Sequence, residues 1–436
     1  MSDVFQAAFA AAKARRAAEP QWLREMREAA MARFGELGLP TTKHEDWKYT
    51  NVAALSKLEL SPAGADGVAT VARDAVTPLR VEGCDALVFV DGRYAAGLSA
   101  APAESDGVTA CSLAAAIADG DAALEAHFGN VAPESGFTTL NTALAEDGAF
   151  VHVAAGKRLE RPLQLIFLTG PNGARAAHVR NVIVCERGAE LTIVETHAAL
   201  EGRTAPYLSN VVDEIVVGEN ATVDHVKLSH EGAAAHHVAT IQAHQARDSN
   251  FRSRSFALGG LLTRNDINTR MDAENIHATL DGLFVVDGDE HVDHHTIVDH
   301  AKPHCGSHEL YKGVLGGKSR GVFNGKIFVR QDAQKIDAIQ NNKNLLLSDS
   351  ATVNTKPQLE IFADDVRCTH GATVGQLDED ALFYLRARGI SREVAHTMLV
   401  YAFAGEIIDG VRHEAVREHV EGRVRQRLAA VGAKRS

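Results

Sequence analysis

From about residue 148 to 374, apolar residues alternate with polar ones or run in blocks of four to seven, each closed by Gly, Asn or Asp. Alternation with a period of two marks a strand, whose successive side chains point to opposite faces. Long helical periods are absent here. Several blocks share one unit: strand, turn residue, Ala, spacer, aliphatic residue, strand. Gly188-Ala-Glu-Leu191, Asn220-Ala-Thr-Val223, Ser350-Ala-Thr-Val353 and Gly371-Ala-Thr-Val374 all fit it. Turn-then-strand units recurring every ~20–30 residues predict a solenoid of β-coils, each rung turning at the small residue. An antiparallel β-sandwich also produces many short strands and stays open as the alternative. Two features favour the solenoid: no Asn-Gly or Asp-Gly hairpin signal stands at each turn, and the turns reuse the same small residues at the same offset.

The flanks have a different period. Leu23, Met26, Ala30, Phe34 and Leu37 recur at steps of three and four and predict a helix that stops at Gly38 and Pro40. A mixed region follows to about residue 140, with a strand from Ala86 to Val90 and an Ala-rich helical stretch from Ser112 to Phe128. After the strand-rich zone, Ser391 is a candidate N-cap. Val394, Met398, Tyr401, Gly405 and Ile408 then share one helical face, and Val416, Val420, Val424 and Leu428 follow at steps of four. The division read from these shifts is 1–145, helical and mixed; 146–375, β-solenoid; and 376–436, helical.

Composition narrows the class. A net charge of −12 over 436 residues argues against a general binder of nucleic acid or anionic membranes. The five cysteines (Cys84, Cys111, Cys185, Cys305, Cys368) are scattered, with no C-x-x-C pair, as fits a reducing compartment. The first residues lack an uninterrupted apolar core of a signal peptide, and no run of ~18 apolar residues occurs. A cytoplasmic protein without a membrane span is expected.

Three segments invite a chemical reading. His291 to His308 holds six histidines and Cys305, which raises the prospect of a metal-dependent enzyme. Its spacing does not close one site: His291, Asp293 and His295 would share a strand face and His294 the other. Gly313 to Ser319 approaches a phosphate-binding loop but has Lys312 where the pattern needs Gly, and a strand pattern follows it, so nucleotide binding is rejected. Neither a dinucleotide fingerprint nor a nucleophile elbow is present. Cys368 and His370, two apart on a strand, can present a thiolate and an imidazole side by side, ligand types that iron accepts. Two ligands make half of a four-coordinate site. A purely structural interaction solenoid also remains a reading of these residues.

The stretch LEIFADDVRCTHGATVG followed by FYLRARGIS closely resembles the C-terminal signature of SufB/SufD-type iron–sulfur cluster assembly proteins. GVFNGKIFVRQDAQKIDAIQNNKNLLLSDSATVNTKPQLEI resembles the same family's core, and HEDWKYT is similar to its SufD branch. SufB-like chains carry a cluster-bearing cysteine just before the aliphatic run that here reads Asn344-Leu345-Leu346-Leu347, and this sequence has none there; Cys368-Thr-His370-Gly stands where SufB-like chains carry a Glu-His-Glu type segment. Both departures point to that branch. The resemblance implies a right-handed parallel β-helix flanked by N- and C-terminal helical regions. It implies a scaffold subunit, not an enzyme, that pairs with a SufB-like homologue and holds a SufC-like ATPase through its C-terminal helices, with Val394, Met398, Tyr401 and Ile408 as the expected contact. A transient iron–sulfur cluster shared with the SufB-like partner would form at their interface, with His370 as a ligand and Cys368 beside it. No tightly bound cofactor is expected in the isolated chain, and pairing of the isolated chain with itself is left open.

Overall fold

The computed structural model describes residues 2–13, 15–58, 60–62, 70–103, 106–171 and 173–433. Sixteen strands between Ala149 and Gly375 alternate between two sheets and make eight turns of a parallel solenoid. Neighbouring rungs are in register, with offsets from 26 residues (His236 beside Leu262) to 32 (Arg175 beside Tyr207). Parallel pairing throughout excludes the sandwich.

One corner explains the recurring turn unit. Two residues ahead of six of the second-sheet strands stands a residue in the left-handed region: Gly188, Asn220, Asp248, Asn275, His304 and Lys335, with φ between 55° and 68°. Gly, Asn and Asp tolerate that conformation. His304 and Lys335 are held in it by N–H bonds to the Gln334 and Asp365 carbonyls of the next rung. The residue after the corner enters the interior, and Ala189, Ala221 and Ser249 are fully buried. Ser350-Ala-Thr-Val353 serves the opposite corner. Gly371-Ala-Thr-Val374 is not a corner; it lies inside the last strand, Arg367–Gly375. The stretch from Ser112 to Phe128 also differs from expectation. It forms two short helices, Leu113–Asp119 and Ala122–His127, because Gly120 turns left-handed at φ 68° and Asp121 caps the second.

Between the sheets lies the main core, which includes Ile183, Ile215, Ile241, Ile267 and Ile327. Each outer face has its own cover. Phe5, Phe34, Leu55 and Leu140 of the N-terminal region pack on Ala176, Leu208, Val238 and Leu262 of the first sheet. Val400, Ala404, Ile407, Val416, Val420, Val424 and Leu428 of the C-terminal helices pack on Val226, Phe256, Leu283 and Val314 of the second. No described helix is long and apolar enough to cross a membrane.

Glu214 clamps the first cover in place. Fully buried, it accepts the Arg180 guanidinium at 2.6 and 2.8 Å and the N–H groups of Gly129, Val131 and Ala132 at 2.8 to 3.0 Å. Removing it strands a buried cation and three backbone donors. Glu214→Ala is expected to destabilise the fold by about 3–5 kcal/mol, read as a lowered urea midpoint. Glu214→Gln, which keeps an acceptor oxygen but not the charge, should lose less; equal losses would show that a neutral acceptor cannot replace the carboxylate.

The two ends of the solenoid differ. At one, Asp85–Val90 extends the second sheet beside Leu163–Thr169, and Val108–Ser112 runs antiparallel to Ala149–Val153. At the other, Thr352–Ile361 and Arg367–Gly375 pair only with Arg320–Val329 and Asp337–Leu346. Among the described residues no strand covers their far edges.

Candidate metal-ligand site at the open end of the solenoid

Cys368 and His370 stand on the last strand, two residues apart and directed inward. Cys368 lies in register with Ala338 and packs against the main core. His370 lies in register with Gln340, which is buried and donates its side-chain amide to Glu309. Burial pushes the Glu309 carboxyl up to about 7. The column on the solenoid side of His370 is thus polar and closed, while its other side is open. His370 is exposed and Cys368 partly so. Burial, with the Asp337 carboxylate nearby, pushes the Cys368 thiol up. It stays protonated at neutral pH until a metal displaces the proton, whereas imidazole binds metal in its neutral form. His370 is therefore the readier ligand of the two.

Opposite them, register places Val353, Thr355, Pro357, Leu359 and Ile361 on the interior side of the first sheet's last strand. The Thr355 hydroxyl is buried without a partner. Among the described residues, no third His, Cys, Asp or Glu joins Cys368 and His370 in a metal-sized cluster; the clusters of that kind lie deep in the solenoid. Ile361, Phe362 and Val374 are exposed at the same rung. An unpaired sheet edge lined with apolar residues is a template for pairing with another chain.

The His291 to His308 run is dispersed. His291, Asp293 and His295 face outward on one strand. Thr50 of the HEDWKYT segment donates to Asp293 and contacts His291 Nε2 at 2.9 Å. Arg264 joins Asp293 at 2.8 Å and lies 3.9 Å over the Trp47 ring. These residues anchor the N-terminal segment. His294 points into the core between Phe284 and Tyr311, His300 meets Ser307 at 3.0 Å, His304 is a corner, and His308 lies beside Asp281. The run does not gather into one site. Gly313 to Ser319 is the end of a strand and its turn, followed by the strand Arg320–Val329, so no helix N-terminus faces it.

The C-terminal face is split. Ser391 caps Arg392–Asp409 by accepting the Val394 N–H. Val394 and Met398 are 52% and 46% exposed, but Ile408 is 1% exposed and packs toward the second sheet. At about 100° per residue, Ile408 lies only about 40° round the helix from the buried Ala404, and Met398 about 120°. Ile408 thus belongs to the internal contact. Tyr401 lies between, its hydroxyl donating to Glu421 at 2.6 Å and its ring 3.8 Å from the Arg425 guanidinium. Sequence reasoning missed Phe383 and Tyr384, exposed on Glu379–Ala387. Two adjacent aromatics on a short capped helix were the available signal, since only one side of so short a helix can be buried.

Comparison with known proteins adds the following. Residues 167–403 match the family model for the SufBD core domain of SUF-system FeS cluster assembly, and residues 3–165 match that for the SufBD N-terminal region. The chain is 37% identical over 401 residues to the iron–sulfur cluster assembly protein SufD of Escherichia coli, covering 90% of each. It is 32% identical over 408 residues to a SufBD family protein of Synechocystis sp., covering 92% of this chain and 89% of the relative. To the SufD protein of Bacillus subtilis it is 25% identical over 413 residues, covering 92% and 93%.

Proposed function

Because the chain belongs to the SufBD family of iron–sulfur cluster assembly proteins, we propose that it is a cytoplasmic scaffold subunit without turnover of its own. It pairs through its open rung with a SufB-type homologue and lends first His370, then Cys368, to a cluster built across the junction. One observation carries this reading: the two donors sit inward-facing on a rung with no strand beyond it among the described residues. Such clusters are commonly held by four protein ligands, and this rung offers two, so a second chain supplies the rest. A homologous solenoid has matching strand spacing and twist and can seal both free edges at once.

The exposed patch of Phe383, Val394 and Met398, with Tyr401 at its rim, takes a SufC-type ATPase. ATP-driven pairing of two such subunits draws the C-terminal helices of both scaffolds together and shifts the junction. His370 then accepts iron, while sulfide arrives through the partner. Iron and sulfide are cargo here. In isolation the same rung can meet a second copy of this chain.

The test is co-expression with SufB-type and SufC-type partners without oxygen, followed by iron, acid-labile sulfide and the visible spectrum. A three-component complex carrying iron and sulfide is expected. A complex that forms without either would sink the reading. Within it, Phe383→Ala with Met398→Ala should weaken ATPase retention about tenfold or more, as loss of exposed anchors does. Pairing with the SufB-type subunit should persist. Unchanged retention would place the ATPase elsewhere.

A further inference from the structure

His370 ends an interior column on the second sheet. Register stacks Leu280, Glu309, Gln340 and His370 on four successive strands. Leu280 belongs to the main core, but the next two members are polar, and both are fully buried. Burying an amide and a carboxyl where aliphatic side chains would pack costs free energy unless their hydrogen bonds are made.

One such bond is made and one atom is left over. Gln340 donates its Nε2 to Glu309 Oε2. Gln340 Oε1 is buried and has no hydrogen-bond partner. The amide is also confined. Gly325 stands across from it on the strand Arg320–Val329, and a Cβ there would come within 2.4 Å of Nε2 and 2.7 Å of Cδ. The bare backbone at Gly325 thus makes the room that the amide fills, and Glu309 holds its nitrogen end. Its carbonyl end is the part without a bond. The next side chain in the column is His370, on a strand about 4.8 Å further on. A neutral imidazole carries a proton on one nitrogen and a lone pair on the other. A bond made by the first fixes the ring and bares the second. Beyond His370 no described strand follows, so the side of the ring away from Gln340 is the open one.

We propose that Gln340 is the positioning residue of His370: its Oε1 accepts one ring N–H, which fixes the tautomer and turns the remaining lone pair toward the open rung. Glu309 acts one step further back, by holding the amide. The proposal rests on the ligand role given above to His370 and adds to it the residues that aim the ring. Orienting partners of this kind are worth about 10–100-fold in metal affinity.

The first arm of the test uses the metal-free full chain with isotope-labelled histidine at alkaline pH, and His370→Ala to assign the signal. Nitrogen chemical shifts read the tautomer. A single tautomer is expected in the wild-type chain, and a mixture in Gln340→Met, which keeps the volume and loses the acceptor. A mixture in the wild-type chain would overturn the proposal. The second arm uses the complex with SufB-type and SufC-type partners, loaded with iron and sulfide without oxygen. Gln340→Met should assemble and give up its iron to a chelator about 10–100-fold faster. Glu309→Gln with Gln340→Glu exchanges the two side chains, keeps an amide facing a carboxyl, and still offers the ring an acceptor. It should recover most of that loss, which a packing role alone does not predict. An unchanged rate in Gln340→Met, or no recovery in the exchange, would overturn the proposal. Should Gln340→Met fail to fold, the wild-type tautomer and the exchange variant decide the matter. Wild-type iron in His370→Ala would overturn the ligand role and this proposal together. A mixed wild-type tautomer, with iron lost in His370→Ala, would overturn this proposal alone.

Discussion

His370→Ala is expected to leave the complex with SufB-type and SufC-type partners assembled and to reduce its iron and acid-labile sulfide to background. The side chain is exposed on the last strand, so its loss should change fold stability by no more than about 0.5 kcal/mol. The chemical consequence is out of proportion to that figure. The chain offers two donors at this rung, and the other is a thiol that burial keeps protonated. Cys368→Ser should therefore do less harm than the loss of the imidazole. Iron and sulfide at wild-type levels in His370→Ala would remove the residue from the site, whatever its position. Loss of the complex itself would instead make His370 a packing residue of the junction.

Acid should unfold the chain through histidines that cannot be protonated in place. Burial lowers His178 to about 3 and His294 and His300 to about 4, against about 6.5 in an unfolded chain. Between those values the unfolded state holds protons that the folded state refuses, so stability falls as pH falls. The slope is about 1.4 kcal/mol per pH unit for each histidine. Glu309 opposes it. Its carboxyl, pushed up to about 7, is protonated first in the folded state and gains stability on the way down. These three histidines against this carboxyl contribute a loss of about 3 kcal/mol between pH 7 and 5, a large part of a usual net stability of about 5–15 kcal/mol, and His197, lowered to about 3, and His419, lowered to about 4, add to it. Urea midpoints at the two pH values measure it. An equal or higher midpoint at pH 5 would show that these rings find protons, or water, in the fold.

The period of two and the corner residues were legible because they are local. A left-handed residue followed by a buried one recurs as Gly188-Ala189 and Asn220-Ala221 for a steric reason that acts within three residues. The same economy misleads at Gly371, where identical letters alternate along a strand. The His291 to His308 run read as a cluster because sequence counts neighbours along the chain. In the fold, alternation sends His294 inward and His291 outward, and Thr50, distant in sequence, takes up the outward set. Ile408 read as free for a partner because helical spacing defines a face without saying which arc the solenoid takes.

By itself the sequence determined the repeating unit, the helical flanks and the adjacency of Cys368 and His370, because each follows from backbone sterics and side-chain periodicity over a few residues. Only the tertiary structure decided that one end of the solenoid is capped by Asp85–Val90 and Val108–Ser112 while the other ends on unpaired strands. Which edges pair depends on segments far apart in the chain meeting in space. That pairing, and not the identity of the two ligands, leaves His370 exposed at the open end.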